Sequence, residues 1–221
     1  MTRRMLRLAH RGDWRAAAEN SLSAMLAAAA IPTCDGLEFD IRLSADGVPV
    51  LLHDETLQRV QGRPERVETL AAASLGAIGV PTLAAVLAAV PRRLFLDIEL
   101  KDLHDRATVE VIAAGRGAGL SNAVISSFTL GTLERLGRLA PAWPRWLNAD
   151  DLEPSTLATA NELGCRAVSV DWHAIDASAI TRARKAGLEV AAWTVRRRSV
   201  ATRLEGLGIL AACVEGAALD D

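Results

Sequence analysis

The sequence predicts an α/β fold, a small (β/α)8 TIM barrel with a short β-hairpin after its second strand. Short apolar segments alternate with helical segments along most of the chain, which is the pattern of parallel βαβ units. Eight such strands fit within the 221 residues. Charged residues follow several of these strands, at the ends that form the mouth of a barrel and carry its active site. A doubly wound open sheet is the alternative topology.

The predicted barrel strands are short and apolar. They cover residues 5–9, 37–43, 94–100, 123–127, 145–148, 167–170, 189–195 and 209–214. Amphipathic segments predict a helix after each of the first seven strands. Asn20 or Ser21 is expected to cap the first helix, and Pro32 ends it. Pro81 is expected in the first turn of the next long helix, which runs to Val90.

The predicted hairpin lies between residues 36 and 54. Glu38 and Asp40 are two residues apart on its first strand, so their side chains point to the same face. Asp46-Gly47, between two apolar runs, predicts the turn. The return strand ends at His53-Asp54, so the hairpin brings a histidine close to two carboxylates.

The composition favours one domain over residues 1–221, since no linker or low-complexity tract interrupts the chain. The net charge of −2, with acids and bases interspersed, argues against a nucleic-acid binder. Cys34, Cys165 and Cys213 form no CxxC pair and are expected to be reduced and buried. The amino terminus has no apolar signal segment, and no apolar run is long enough for a membrane anchor. We therefore expect a cytoplasmic location.

Three carboxylates, Glu38, Asp40 and Glu99, form a candidate metal site. Carboxylate oxygens suit Mg²⁺ or Ca²⁺, and Mn²⁺ is a third option. No Cys/His pair has the spacing of a zinc site. The alternative is a network of ion pairs between these carboxylates and three nearby cations, Arg11, Arg42 and Lys101.

Two histidines, His10 and His53, each end an apolar strand. If both reach a metal site, they suit a general acid and a general base, because the pKa of imidazole lies close to neutrality. His104 lies in a charged loop and is expected to be solvated, whereas His173 is a candidate for the rim of the mouth. Arg11 and Lys101 bring positive charge to the same mouth, where they could hold a phosphate.

An ordered set of short motifs runs from about Leu8 to Val195. The motifs are His10-Arg11-Gly12, Glu19-Asn20-Ser21, Glu38-x-Asp40, His53-Asp54, Pro81-Thr82-Leu83, Glu99-Leu100-Lys101, Ser126-Ser127-Phe128 and Trp193-Thr194-Val195. Each is weak alone, but together and in this order they resemble the glycerophosphodiester phosphodiesterase (GDPD) family. The resemblance implies a (β/α)8 barrel that cleaves glycerophosphodiesters to glycerol 3-phosphate and an alcohol, with a divalent metal, as part of lipid and glycerol metabolism.

By this resemblance, Glu38, Asp40 and Glu99 would hold the metal, and His10 and His53 would be the acid/base pair. The nucleophile implied is either the 2-hydroxyl of the glycerol or water.

The resemblance also assigns the remaining parts of the mouth. Arg11 and Lys101 would contact the phosphate, and Trp193 would give an apolar wall for the glycerol carbons. Phe128 and Trp172 are further candidates for that wall. The expected partner is a small phosphodiester, not a nucleic acid.

The chain departs from the family pattern in three places. The segment from Asp54 to Pro81 is short, where many members carry a longer insertion with aromatic residues. Arg196 stands where an asparagine is usual, and Val214-Glu215 stands where Thr-Asp is common. We expect the last two changes to affect the half of the mouth away from the metal and the histidines. Two alternatives are a lysophospholipase D-like enzyme and a non-catalytic barrel that binds a phosphate ligand.

Overall fold

Nine strands form one sheet within residues 4–220, the part of the chain that the computed structural model describes. The strands are β1 (Leu6–His10), β2 (Gly36–Leu43), β3 (Pro49–Leu51), β4 (Phe95–Leu100), β5 (Ala123–Ser127), β6 (Arg145–Ala149), β7 (Ala167–Asp171), β8 (Glu189–Val195) and β9 (Ala211–Val214). All eight strands that were predicted for the barrel are present. The last of them begins at Ala211, two residues later than expected.

The sheet closes on itself into a barrel. Eight parallel strands follow one another in the order β1, β9, β8, β7, β6, β5, β4, β2. Leu8 of β1 then pairs with Gly36 of β2, so the two ends of the sheet meet. This pairing confirms the (β/α)8 barrel and excludes the open sheet. β3 pairs only with β2 and runs antiparallel to it, with Leu51 opposite Ile41, which confirms the hairpin.

Helices surround the barrel. They are α1 (Leu22–Ala29), α2 (Gln58–Gln61), α3 (Ala72–Ala77), α4 (Leu83–Ala89), α5 (Arg106–Arg116), α6 (Leu130–Leu139), α7 (Pro154–Glu162), α8 (Ala177–Lys185) and α9 (Arg198–Leu207). Ser21 caps α1, since its hydroxyl accepts a hydrogen bond from the backbone N–H of Ala24. Thr82 caps α4, so Pro81 precedes the helix and does not lie in its first turn.

The short segment between the hairpin and α4 has a small core of its own. It contains α2, a 3₁₀ turn at Val67–Thr69 and α3. Its buried apolar side chains pack with two residues of the hairpin's return arm; the cluster is Val50, Leu52, Leu57, Val67, Ala72, Leu75 and Val80. The segment is therefore a packed unit on the barrel rather than an open loop.

Side-chain alternation along β2 separates the apolar from the acidic residues. Phe39 and Ile41 are fully buried in the main core, which also contains residues of the surrounding helices. Glu38 and Asp40 take the intervening positions and therefore face the barrel interior. Near the amino-terminal ends of the strands, a separate apolar cluster fills the interior: Leu8, Val124, Trp146, Ala167, Ala191 and Ala211.

All three cysteines are buried and free, as the sequence predicts. Burial raises the pKa of Cys34 and of Cys165 to about 11. Among the helices of residues 4–220, none combines the length and the apolar composition needed to cross a bilayer. The prediction of one domain extends to residues 1–3 and 221, which lie outside the described residues, and it stays a prediction.

His104 is buried, so the expectation that it is solvated is wrong. Only 4% of the residue is exposed, and its Nδ1 lies 3.0 Å from the hydroxyl of Thr108. Burial lowers the pKa of His104 to about 4, because an imidazolium would lose its hydration there. The charged residues around His104 in the sequence suggested exposure. In the structure, however, α5 packs against the loop, and its Thr108 contacts the ring.

We expect the free energy of unfolding to fall as the pH drops from about 6.5 towards 4, because only the unfolded chain then protonates His104. The contribution of this residue is on the order of 3 kcal/mol across that range. Urea titrations at several pH values should show a flatter profile for His104→Gln. His173→Gln removes a histidine whose side chain is 70% exposed and serves as the control. Equal slopes for His104→Gln and the wild type would contradict the assignment.

Gly12 illustrates how tightly the turn after β1 is built. Its φ is +82°, and a Cβ there would lie 2.6 Å from the carbonyl carbon of Ala24. Gly47 in the hairpin turn has a similar φ of +72° but open space around it. A substitution at Gly47 would therefore cause backbone strain alone, whereas one at Gly12 would cause both strain and steric overlap.

We expect Gly47→Ala to destabilise the fold by about 1 kcal/mol through backbone strain alone. Gly12→Ala should cost a further 1–3 kcal/mol or so, because α1 would have to shift. Equilibrium urea unfolding of both variants measures the difference. A Gly12→Ala variant as stable as Gly47→Ala would mean that the turn relaxes freely.

Candidate active site

Three carboxylates meet at the mouth because β2 and β4 run in register. Asp40 pairs with Glu99, and Glu38 pairs with Asp97 one step deeper. One oxygen from each of Glu38, Asp40 and Glu99 lies within 4.8 Å of the others. All three residues are buried. The structure thus brings together the carboxylates that the sequence selected as possible metal ligands.

A fourth carboxylate, Asp97, lies below this group. It is 2% exposed, and Ser126 on β5 donates a hydrogen bond of 2.6 Å to its Oδ1. Burial raises the pKa of Asp97 to about 7, with the negative charge of Glu99 adding to the effect. The deeper layer of the mouth is therefore also acidic.

Two cations and an amide compensate Asp40. The ammonium of Lys101 lies 3.0 Å from Oδ1 of Asp40 and also contacts Glu99. On the other side, Nε of Arg11 lies 3.1 Å from Oδ2, and the amide of Asn20 donates to the same oxygen at 2.9 Å. Burial alone would raise the pKa of Asp40, but Lys101 and Arg11 hold it below its usual value. Asn20 was considered only as a helix cap.

The cluster contains more carboxylates than cations. Four buried carboxylates face two cations, Arg11 and Lys101. Burial raises the pKa of Glu38 well above its usual value, and the charges of Asp40 and Glu99 raise it further. Oδ1 of Asp40 is buried and contacts the ammonium of Lys101 at 3.0 Å. Clustered carboxylate oxygens that outnumber the cations beside them fit a hard divalent cation.

The ion-pair alternative is correct for two of its three cations. Arg42 does not join the cluster: it donates to Asp102 at 3.0 Å and to the backbone carbonyl of His53 at 2.9 Å. Its contribution to the mouth is to hold the end of the hairpin. Arg11 and Lys101 do pair with the carboxylates, but Glu38 and Asp97 keep no cation of their own.

His53 is held by a carboxylate next to it in sequence. Its Nδ1 lies 2.6 Å from Oδ1 of Asp54. Arg59 donates to the other oxygen of Asp54 at 2.7 Å and also pairs with Glu19. Burial lowers the pKa of His53, partly offset by the nearby charge of Asp40. An acceptor at Nδ1 leaves Nε2 as the nitrogen that can serve a ligand.

His10 is held in the same way by a carboxylate that is distant in sequence. Its Nδ1 lies 2.6 Å from Oε1 of Glu215, and its Nε2 lies 3.7 Å from Oε2 of Glu38. Arg196 donates to Oε2 of Glu215 at 2.6 Å. Burial works to raise the pKa of Glu215, but the hydrogen bonds from His10 and Arg196 lower it to about 2.

The position of Glu215 corrects the sequence analysis. Arg196 and Glu215, two departures from the family pattern, were expected to act far from the histidines. In the structure they contact each other, and Glu215 contacts His10 directly. The order of the barrel strands explains the error, because β9 lies next to β1 although almost the whole chain separates them.

These groups surround a pocket of about 180 Å³. Phe128 and Trp193 form part of its wall, with their rings edge to face at a centroid distance of 5.6 Å. Trp193 is fixed by a hydrogen bond of 3.0 Å from its indole N–H to the carbonyl of Ser169. Trp172 instead stacks on His173, and neither of them lines the pocket.

Asn148 is a pocket residue that the sequence analysis did not single out. It lies near the end of β6, is 6% exposed, and its Oδ1 has no hydrogen-bond partner. The only signal in the sequence was its position at the end of a predicted strand. Its amide is available to a polar group of a ligand.

The fold and the site together define a class of protein. A closed (β/α)8 barrel carries, at the carboxyl ends of its strands, clustered carboxylates, two cations and two histidines that are each held by an acid. In a (β/α)8 barrel such groups at this end of the strands mark an active site, so the class is a barrel enzyme.

Comparison with known proteins gives the family. The model of the glycerophosphoryl diester phosphodiesterase family matches residues 10–216. The chain belongs to this family, and it is a phosphoric diester hydrolase.

Relatives and solved structures agree with that assignment. A glycerophosphodiester phosphodiesterase of Caldanaerobacter subterraneus subsp. tengcongensis is 27% identical, over 91% of this chain and 90% of its own length. The crystal structure of a glycerophosphodiester phosphodiesterase from Agrobacterium tumefaciens has the same fold, with a TM-score of 0.83, 24% identity, and coverage of 97% of this chain and 98% of that one. A phosphodiesterase of Oleispira antarctica, solved with the product sn-glycerol-3-phosphate, has a TM-score of 0.79 at 24% identity and covers 96% and 93% of the two chains.

Proposed function

We propose that the chain hydrolyses glycerophosphodiesters to glycerol 3-phosphate and an alcohol, using a divalent cation and two histidines. The observation that carries the proposal is the pocket itself, where surplus buried carboxylates face two imidazoles whose Nδ1 atoms are each held by an acid. Family membership supports the substrate class, as does the product bound by the Oleispira antarctica protein.

The metal ligands in this proposal are Glu38, Asp40 and Glu99. Their hard oxygen donors favour Mg²⁺ or Ca²⁺, with Mn²⁺ as a third choice. A bound divalent cation would supply Lewis-acid polarisation of the phosphate. The close approach of the three carboxylates and the raised pKa of Glu38, which burial and neighbouring charges cause, support the assignment.

Arg11 and Lys101 orient the phosphate in this scheme. Both side chains are mostly buried at the mouth, so their charge is not dispersed into bulk water. Their contacts with Asp40 fix them before substrate arrives. Charge-assisted hydrogen bonds from such groups can offset the negative charge that develops on phosphate oxygens.

The histidines transfer protons through Nε2. One removes a proton from the attacking hydroxyl, and the other protonates the leaving alkoxide. If water attacks, glycerol 3-phosphate forms directly. If the glycerol 2-hydroxyl attacks, a cyclic phosphate forms first, and water then opens it to glycerol phosphate. His53 and His10 are both suited to this, because their Nδ1 atoms already contact carboxylates. Phe128 and Trp193 would pack against the glycerol carbons, and the free amide of Asn148 could bind a hydroxyl.

A lysophospholipid is the competing substrate. The segment between residues 54 and 81 is short, and Phe128 is 45% exposed, so the mouth is open on that side. The pocket of about 180 Å³ favours a glycerophosphodiester over a lysophospholipid, since the acyl chain of a lysophospholipid would have to lie outside it. The single domain and the cytoplasmic location are further proposals that rest on the sequence alone.

A substrate panel tests the proposed function. We expect release of glycerol 3-phosphate from glycerophosphocholine or glycerophosphoethanolamine in the presence of Mg²⁺, Ca²⁺ or Mn²⁺, and loss of that activity with a chelator. Cleavage of lysophospholipids without cleavage of either glycerophosphodiester would establish the competing substrate instead. No hydrolysis of any diester with any of the three ions would refute the proposal.

Glu38→Gln should weaken metal binding about tenfold or more, because one anionic ligand becomes neutral. Calorimetric titration with Mn²⁺ or Ca²⁺ measures the affinity, and the activity should require a correspondingly higher metal concentration. Glu134→Gln, which alters a carboxylate that is 62% exposed on α6, is the matched control. An unchanged titration curve for Glu38→Gln would remove Glu38 from the ligand set.

His53→Ala should lower kcat by about 10²–10⁴, the usual contribution of a positioned acid or base. Metal affinity should stay close to that of the wild type, because His53 is not among the proposed ligands. His173→Ala is the control, since it changes an exposed histidine outside the pocket. If His53→Ala turned over at the wild-type rate, His53 would have no part in proton transfer.

A further inference from the structure

We propose that Arg196 and Glu215 form a coupled positioning pair for His10, in which Arg196 fixes the carboxylate and the carboxylate fixes the imidazole. The inference rests on the proposed function, in which His10 is one of the two groups that transfer protons. Neither residue of the pair would touch the substrate in this role.

Three consecutive strands of the barrel supply the three groups. His10 ends β1, Glu215 directly follows β9, and Arg196 directly follows β8. Val214 of β9 pairs with Ala9 of β1 on one side and with Val195 of β8 on the other. The parallel register therefore brings the residues after these positions to one level of the mouth.

Both carboxylate oxygens of Glu215 have a hydrogen-bond partner. Oε1 lies 2.6 Å from Nδ1 of His10, and Oε2 accepts a hydrogen bond of 2.6 Å from Nε of Arg196. The backbone N–H of Glu215 donates to the carbonyl of Val195 at 2.9 Å, so the main chain that carries the carboxylate is also held. With both oxygens and its backbone N–H held, Glu215 cannot rotate its carboxylate without breaking a short contact.

This arrangement selects the tautomer of His10. An ionised carboxylate only accepts hydrogen bonds, so the Nδ1 of His10 must carry the proton. Nε2 then points into the mouth, 3.7 Å from Oε2 of Glu38. A neutral partner such as glutamine could donate as well as accept, and it would no longer impose one tautomer.

Burial distinguishes this pair from an ordinary surface ion pair. The side chain of Glu215 is 8% exposed, while that of Arg196 is 71% exposed and reaches inward from the rim. The pair Arg138–Glu134 on α6, by contrast, is 65% and 62% exposed. Exposed pairs contribute little to stability or geometry. A buried carboxylate with a free oxygen, however, would reorient towards other donors.

The alternative is a purely structural clasp that ties the loop after β8 to the end of β9. Such a clasp would affect the stability of the fold and leave the imidazole of His10 as it is. The two possibilities are separated by kinetics and by the resonances of the imidazole nitrogens.

The kinetic experiment uses the full chain, Mg²⁺ and glycerophosphocholine. We expect Glu215→Gln to lower kcat about 10- to 100-fold with little change in KM, a part of what a positioned acid or base contributes. Arg196→Gln should lower kcat less, and Arg196→Lys should retain more activity because the charge remains. The double variant Arg196→Gln/Glu215→Gln should be no slower than Glu215→Gln alone, since the two residues act through one contact. Arg138→Gln is the matched control and should behave as the wild type.

The second experiment does not depend on turnover. The ¹⁵N resonances of the imidazole in metal-free protein report which nitrogen carries the proton, and the His10→Gln variant assigns them among the four histidines. We expect one tautomer, protonated at Nδ1, in the wild type, and mixed tautomers in Glu215→Gln.

The outcomes separate this inference from the proposed function. Unchanged ¹⁵N resonances in Glu215→Gln would overturn the inference whether or not the wild type hydrolyses diesters. Unchanged kcat in Glu215→Gln, with a lower Tm, would overturn it in favour of the structural clasp. A wild type that hydrolyses no diester but shows the tautomer shift would refute the function and keep the positioning of His10.

Discussion

The structure of the mouth depends on one electrostatic constraint, the burial of four carboxylates on adjacent strands. Ionised carboxylates are costly to remove from water unless they are paired. Nearby polar groups offset part of that cost. Lys101 and Arg11 flank Asp40, and Ser126 donates a hydrogen bond to Asp97. Two carboxyl groups, Glu38 and Asp97, are left without a cation of their own, and burial raises the pKa of both. A divalent cation would let these groups ionise, which is the physical reason for expecting one there.

Alternating charges extend from this cluster to the histidine of the hairpin. Arg11 contacts both Asp40 and Glu19, and Arg59 contacts both Glu19 and Asp54. Asp54 in turn holds His53, so an unbroken series of ion pairs connects the proposed metal ligands with one proposed proton-transfer group. His10 is connected more directly, because its register neighbour on β2 is Glu38 itself. His53 is thus oriented at the end of an ion-pair series that begins at the cluster, whereas Glu215, outside the cluster, orients His10.

The barrel, and the meeting of the carboxylates and His53 at its mouth, could be predicted because they follow from local patterns. Alternation placed Glu38 and Asp40 on one face, and the Asp46-Gly47 turn predicted the hairpin that carries His53. The contacts that form only when the barrel closes could not be predicted. The contact between His10 and Glu215 spans 205 positions and arises from the pairing of β1 with β9. Burial of His104 was missed for a related reason, because packing of a following helix, and not the charge of the loop, decides solvent access.

The packed segment between the hairpin and α4 has a consequence for how such an enzyme can diversify. Its apolar side chains form a cluster separate from the main core, and they meet the barrel mainly through Val50 and Leu52 of the hairpin. Insertions or replacements between residues 60 and 81 would therefore change one small module while the barrel strands keep their packing. Asp54 and Arg59, which hold His53, lie before that stretch and would stay in place. In this architecture the outer part of the module can vary without disturbing the contacts that orient His53.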